Sequence, residues 1–313
     1  MTAVHTVLGP LAPWLARRGP VLAHEHLVLD LSRPDDRAAV LDTDRDAPAV
    51  VRELTSLREE FSLALVIELT CRGMGRDIAA LARISRASGV PVVAATGWYH
   101  QGFHPPEVAG AGVEQLTGTL VREITEGADG TGIRPGVIGE IGTGGAQPTE
   151  AEARVLRAAA GAALATGLSV VTHARRGQGG RAQLDLLTGA GLPPYRVCLG
   201  HQDLLDDPAA HRALAAEGAY VAFDTIGKAR YRPDADRLRL LLALLEAGHA
   251  HRVLLSGDVS RRAYLQAAGG PGYGHLLRGF LDQVRAAGVD EPLIDLMTRR
   301  NPLRFLTGTE AEA

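Results

Sequence analysis

The sequence predicts a single-domain α/β protein built as a (β/α)8 TIM barrel. Three observations lead there: eight short apolar, β-branched runs recur along the 313 residues, longer amphipathic stretches follow them, and no linker-like or low-complexity tract divides the chain. The runs are Val21–His26, Leu63–Thr70, Val90–Thr96, Gly136–Ile141, Ser169–His173, Arg196–His201, Tyr220–Asp224 and Arg252–Asp258. Between them lie Ala/Leu/Arg-rich segments with helical spacing of apolar residues, such as Glu150–Ala165 and Arg237–Ala247. Helices are expected to start at Thr149, with Glu150 and Glu152 in the first turn, and at Asp206 and Asp207 before Pro208. Apolar strands alternating with helices imply a parallel sheet covered on its outer face, and eight such units close into a barrel. The alternative is an open doubly wound sheet, but its glycine-rich first turn is missing, because the first strand ends in HEHL. Residues 1–20 read as an N-terminal extension and 290–313 as a C-terminal helix and tail.

Composition narrows the function classes. With 46% hydrophobic and 22% charged residues the chain is an ordinary globular protein, and 313 residues bury a large core. A formal charge of −3 speaks against nucleic acid as a partner. No apolar run approaches the roughly 18 residues of a membrane span, and the first twenty residues lack the pattern of a secretory leader. Cys71 and Cys198 are too few for a disulfide framework and read as structural thiols. A cytoplasmic protein acting on a small molecule is expected. Basic residues are nearly all arginine, and Lys228 is the only lysine.

The chemistry lies at the strand ends, where a barrel places its active site. They carry His24 and His26, then Glu68, Thr96, Glu140, His173, His201, Asp224 and Asp258. In His-x-His both imidazoles share one face of a strand, which turns Glu25 away from it. A lone histidine there would read as a hydrogen-bonded core residue, but four histidines with Glu140 and Asp258 do not. Unpaired buried imidazoles and carboxylates are costly, and a metal satisfies them together. Six ligands exceed the needs of one zinc, whereas a carboxylate shared by two ions accounts for the number. One ion is assigned to His24, His26 and Asp258, the other to His173 and His201, with Glu140 between them. Zinc is the first expectation, with manganese, cobalt or iron compatible with the same ligands.

The motifs HEHL (24–27), GVIGEIGT (136–143), VVTHA (170–174), VCLGH (197–201), FDTIGK (223–228), SGDVSRRAYLQAAGGPGYG (256–274) and NPLRFL (301–306) follow in order. Together they resemble the phosphotriesterase-related proteins of the amidohydrolase superfamily. The resemblance implies a binuclear metal centre in a (β/α)8 barrel, usually paired as a homodimer, with Asp258 both a ligand and the manager of the proton of a bridging hydroxide. One branch bridges its metals through a carbamylated lysine on strand 4. This chain has no lysine there, so the resemblance implies a Glu140 bridge and poor phosphotriester hydrolysis. The glutamate-bridged branch includes lactonases of phosphorylated sugar lactones, whose phosphate clamp matches Lys228, Arg261 and Tyr264 here. The expected activity is therefore a lactonase or carboxylic ester hydrolase on an anionic substrate. A phosphotriesterase or N-acyl amide hydrolase on the same scaffold is the alternative, and a non-catalytic metal-binding barrel the second.

Other residues carry smaller expectations. Trp98 and Tyr99 are expected to wall the pocket, and Arg175 with Arg176 to read an acidic substrate, an exposed salt bridge being the competing role. Asp224 is expected to orient Lys228 or to cap the following segment. His100 and His104 read as solvated or packed. His5, His211, His249, His251 and His275 lack companion ligands and read as surface residues.

Overall fold

The computed structural model describes residues 4–11, 14 and 18–310, so parts of the expected terminal extensions (residues 1–3, 12–13, 15–17 and 311–313) lie outside the described residues. The eight strands are β1 (Val21–Glu25), β2 (Leu65–Glu68), β3 (Val92–Val93 and Ala95–Thr96), β4 (Val137–Thr143), β5 (Val170–Ala174), β6 (Val197–Leu199), β7 (Tyr220–Phe223) and β8 (Val253–Leu255). Eight helices alternate with them: α1 (Ala47–Phe61), α2 (Ile78–Ser88), α3 (Val113–Glu126), α4 (Glu150–Thr166), α5 (Gly180–Gly189), α6 (Pro208–Ala216), α7 (Asp234–Glu246) and α8 (Leu281–Ala286). Every barrel ladder is parallel, running β1–β2–β3 and, across the break at Ala94, β3–β4–β5–β6–β7–β8. Among the described residues no ladder joins β8 to β1. That seam is crossed by the Asp258 amide donating to the His24 carbonyl at 3.2 Å. The carboxylate of Glu25 also spans it, accepting from Ser256 Oγ (2.8 Å), Gly257 N (2.9 Å) and Val259 N (2.8 Å). The chain is a (β/α)8 barrel.

The helix starts follow their side chains. Thr149 caps α4, its hydroxyl accepting from the Glu152 amide while the Glu152 carboxylate accepts from the Thr149 amide. Asp207, with Pro208 in the first turn, caps α6 through the amides of Ala209 and Ala210. Helix α7 begins three residues before the sequence pattern indicates, because its first residues, Asp234, Ala235 and Asp236, include two acidic side chains that suit a helix N-terminus but add nothing to apolar periodicity.

Two apolar layers leave one end of the barrel for chemistry. Leu22, Val66, Val92 and Ile138 face the helices, whereas Val21, Leu65, Val137 and Tyr220 fill the interior with Val4, Leu11, Phe305 and Leu306. Those four interior positions are the first residues of their strands, so the N-terminal hairpin (Val4–Thr6 and Gly9–Leu11) and the last helical turns plug the N-terminal end. Polar strand ends are left to the opposite mouth. Phase changes in two strands turn the ligand-type residues inward. Strict alternation from Val21 would point Glu25 into the barrel, but the β1–β2 register shifts between Leu22 and Glu25. In β4 both Val137 and Glu140 face inward, the shift falling at Gly139 (φ 132°), where a Cβ would meet the Val171 carbonyl oxygen at 2.3 Å.

Candidate metal centre and cleft

Glu140 is the hub of the mouth. Its Oε2 lies 3.5 Å from His24 Nε2, 3.1 Å from His173 Nδ1 and 3.6 Å from His201 Nε2, and its Oε1 lies 3.4 Å from His26 Nε2. Asp258 Oδ1 is 3.3 Å from His26 Nε2, and His201 Nε2 faces His173 Nδ1 at 2.7 Å. All are buried except His173, which is 13% exposed. Two groups offer ligand atoms within 4.8 Å of one another: His24, His26 and Asp258, and His24, Glu140 and His201. The first is the expected trio. In the second, His24 stands where His173 is expected, and His173 sits at the edge of the cluster.

These donors fit a divalent cation. His24 Nε2 is buried without a hydrogen-bond partner, and its ring is fixed from behind by the Nδ1 proton given to Asp224 Oδ2 at 2.7 Å. His201 is fixed by the same carboxylate, with Nδ1 at 2.9 Å and the backbone amide at 2.8 Å from Oδ1. His26 Nδ1 lies 2.8 Å from Thr70 Oγ1, which donates in turn to Glu68 Oε1 at 2.5 Å. In all three rings Nε2 is left facing the centre, the arrangement that outer hydrogen bonds impose on metal-binding imidazoles.

Charge is concentrated there. Burial opposes ionisation of Glu140, yet His173 and His24 hold its carboxyl well below the usual range. Burial also opposes Asp224 and Asp258, and both are nonetheless held low, the first by His201 and His24, the second by Lys228 and His26. For His26, burial disfavours the cation, but Asp258 and Glu140 outweigh it and push the imidazole up to about 10. Burial raises Glu68 to about 7. Ionised carboxylates packed among imidazoles are a site poised to exchange protons for metal.

A cleft of about 500 Å³ opens above the centre, reaching Tyr99, His173, His201, Lys228, Asp258 and Arg261. Lys228 Nζ is bonded to Asp258 Oδ2 and donates to Ser260 Oγ at 3.0 Å. Arg261 pairs with Asp36 at 3.0 Å, and the buried Tyr264 ring lies behind, its centroid 5.0 Å from Lys228 Nζ and 5.7 Å from the Arg261 guanidinium carbon.

Residues 2–306 match the Phosphotriesterase family. The Phosphotriesterase homology protein of Escherichia coli K12 is 41% identical, over 92% of this chain and 97% of that protein. The chain belongs to the phosphotriesterase family. The crystal structure of the Escherichia coli relative, complexed with phosphate in its active site, superposes with a TM-score of 0.89 at 40% identity, covering 92% of this chain and 98% of that one. A Deinococcus radiodurans PTE-like lactonase mutant is 33% identical with a TM-score of 0.85, over 97% and 100% of the two chains. The N-acetyltaurine hydrolase of Rattus norvegicus is 30% identical over 97% of each. The protein is thus an enzyme of a hydrolase family.

Within this phosphotriesterase-family site several expectations are corrected. Trp98 does not wall the cleft. It is fully buried in the layer between strands and helices, under the Arg72 guanidinium at 5.9 Å. Asp224 does not orient Lys228; it holds His24 and His201. Lys228 lines the cleft and is only 4% exposed. His211, expected at the surface, is fully buried against Phe223. Tyr99 lines the cleft, its hydroxyl 3.1 Å from His173 Nδ1. Arg175 and Arg176 line it too and are exposed. Of the other histidines, His100 lies against Tyr99 and Phe103 and is lowered to about 4 by burial. His104 Nε2 bonds the Tyr99 carbonyl at 2.8 Å. Thr70 was passed over in the sequence; the only signal it gave was a hydroxyl closing the apolar run LALVIELT.

Proposed function

We propose that the protein is a hydrolase using two divalent metal ions, zinc foremost, and that it opens lactones or related carboxylic esters bearing an anionic, phosphate-like group. The observation that carries this reading is the convergence of four imidazoles on Glu140, with Asp258 beside His26, at the floor of a cleft walled by cations. His24, His26 and Asp258 would hold one ion, and His173 and His201 the other, with Glu140 between. Ions there would supply Lewis acidity at the scissile carbonyl and lower the pKa of water towards ~7. The chain's own residues do the rest. Asp258 is placed to take the proton of the attacking water and return it to the leaving oxygen, with Lys228 against its other oxygen. Lys228 and Arg261 would anchor a remote phosphate or carboxylate and so orient the reacting group. The two buried free thiols suit a cytoplasmic location.

An N-acyl amide substrate is the second reading. It is favoured by the relative named N-acetyltaurine hydrolase, which matches 97% of the chain. Elemental analysis of the purified protein combined with a substrate panel tests both. Two metal ions per chain with turnover of a phosphorylated γ- or δ-lactone support the lactonase. Turnover confined to anionic N-acyl amides transfers the assignment to the second reading. Failure to take up metal removes the hydrolase proposal.

A further inference from the structure

One buried charge lies outside the metal centre. Arg237, in the first turn of α7, is fully buried, and so is Asp203, which follows β6. Arg237 heads the stripe that Leu240, Leu241 and Leu244 continue along the same face of the helix, where an apolar side chain would serve the packing. A guanidinium in that position is costly unless each of its five N–H donors is matched. All are matched. Nε donates to Asp203 Oδ2 at 2.7 Å, and Nη1 to Asp234 Oδ1 at 2.9 Å and to the Arg232 carbonyl. Nη2 donates to Thr225 Oγ1 at 2.9 Å and to the Lys228 carbonyl at 3.3 Å.

The acceptors show what this charge holds. Thr225, Lys228 and Arg232 all belong to the segment that joins β7 to α7. Thr225 is tied a second time to Asp203 Oδ2, by its hydroxyl at 2.5 Å and its amide at 3.3 Å. Asp234, besides meeting Arg237, accepts from the Gly227 amide at 3.0 Å and lies 2.7 Å from His275 Nε2. The His275 ring packs so closely under Gly227 that a Cβ there would meet its Cδ2 at 2.8 Å. The segment is thus wrapped around one guanidinium. From it the Lys228 side chain runs to the centre, where its ammonium bonds Asp258 Oδ2 and donates to Ser260 Oγ at 3.0 Å. A lysine stem is flexible, so where the ammonium arrives depends on where the backbone is fixed, and the Lys228 backbone is fixed at its own carbonyl by Arg237. We infer that Arg237 is the positioning residue of Lys228: it shapes the 225–232 segment so that the ammonium reaches Asp258 and faces the cleft. The inference rests on the anion-anchoring role proposed for Lys228. The competing role for Arg237 is a buried pair with Asp203 that contributes to stability alone.

Because Lys228 is the only lysine, labelling with ζ-15N-lysine gives a single ammonium resonance, read at fixed pH in the full-length, zinc-loaded protein. Calorimetric titration with methanesulfonate, a weak metal ligand, reads the anchor on the same samples. Asp203→Asn combined with Arg237→Gln removes both charges of the pair and leaves no lone buried ion. In this double variant the resonance should move towards that of free lysine and its hydrogens should exchange faster. Methanesulfonate should bind about tenfold more weakly, the worth of a charge-assisted hydrogen bond, matching its loss in Lys228→Gln. Arg76→Gln combined with Glu123→Gln removes another buried pair, at 2.9 Å beside β3. That control should lower the midpoint of urea unfolding and move neither the resonance nor methanesulfonate binding. Should the first double variant fail to fold, Thr225→Val keeps both charges, removes one acceptor of Nη2 and should shift the resonance in the same direction. Equal movement of the resonance in the two double variants overturns the inference. An unmoved resonance, with methanesulfonate still weakened by Lys228→Gln, sinks the positioning role and leaves the anchor. A moved resonance, with methanesulfonate indifferent to Lys228→Gln, sinks the anchor and leaves the positioning role.

Discussion

Replacing Asp224 by Asn is the substitution that most sharply tests how the centre is held. The carboxylate accepts three N–H donors, from His24 Nδ1 at 2.7 Å, His201 Nδ1 at 2.9 Å and the His201 amide at 2.8 Å. An asparagine of the same shape offers one acceptor oxygen and one NH2. The oxygen is retained best on the His201 side, where it keeps two bonds, so the NH2 faces His24 Nδ1. His24 must then move its proton to Nε2, the atom that points at Glu140 and Asp258 and would bind metal. Losing an outer-shell partner of this kind costs about 10- to 100-fold in metal affinity, or about 1.4–2.7 kcal/mol. Because His24 belongs to both ligand groups, both binding steps should weaken. Competition titration of zinc against a chromophoric chelator reads each step, and thermal melting of the metal-free variant checks that the barrel is intact. Zinc affinities within threefold of the parent for both Asp224→Asn and Asp224→Ala would refute the idea that this carboxylate sets the imidazole tautomers.

Other expectations follow from single contacts. Lys228→Gln should raise KM for an anionic lactone about tenfold or more, the worth of a charge-assisted hydrogen bond at ~1.5–3 kcal/mol, with KM for a neutral lactone unmoved in steady-state assays. Glu25→Ala strips the partner from three donors at the β8–β1 seam. With each buried unsatisfied donor costing about 1 kcal/mol or more, the midpoint of urea unfolding should fall clearly. For Glu123, burial opposes ionisation, but the Arg76 guanidinium outweighs it and lowers the folded pKa below the ordinary 4.5. Its contribution is therefore fully present above that value and is lost as pH falls through the lowered one. Glu123→Gln should cost about 3 kcal/mol at pH 7, as for breaking a buried pair, and urea titrations should show the gap to the parent closing at pH 3.

The parts of this architecture that depend on local pattern were legible in the sequence. Apolar runs locate the strands because an interior barrel strand is buried on both faces, and Thr149 and Asp207 mark helix starts because capping is settled within three residues. The six ligand-type residues were legible for a related reason: in a parallel barrel every strand end reaches the same mouth, so adjacency in space needs no knowledge of pairing. Trp98 and Tyr99 show the limit. They are neighbours just after β3, yet one lies under the helices and the other in the cleft, because successive extended residues point to opposite faces and the break at Ala94 hides which is which. Asp224 and His24 are 200 residues apart in sequence, and no periodicity connects a carboxylate on one strand to an imidazole on another.

The cross-strand partners also explain why the short motif HEH on β1 carries so much of the site. His24 is bonded to Asp224 after β7, Glu25 to the segment after β8, and His26 through Thr70 to Glu68 at the end of β2. Three consecutive residues thus tie β1 to three other strand ends, each through a buried carboxylate. The alternation that turns two imidazoles to the centre sends the intervening glutamate to the seam, so one local geometry supplies two candidate ligands and closes the barrel at its only ladder-free edge among the described residues. A substitution at Glu25 should therefore disturb metal binding as well as stability, although its side chain contacts none of the groups around Glu140. The chelator titration applied to Glu25→Gln, which keeps one acceptor for the seam, separates the two effects. Weakened zinc binding with near-parental unfolding would mean that the seam sets the angle at which His24 and His26 meet the centre. Unchanged zinc binding would confine Glu25 to holding the fold.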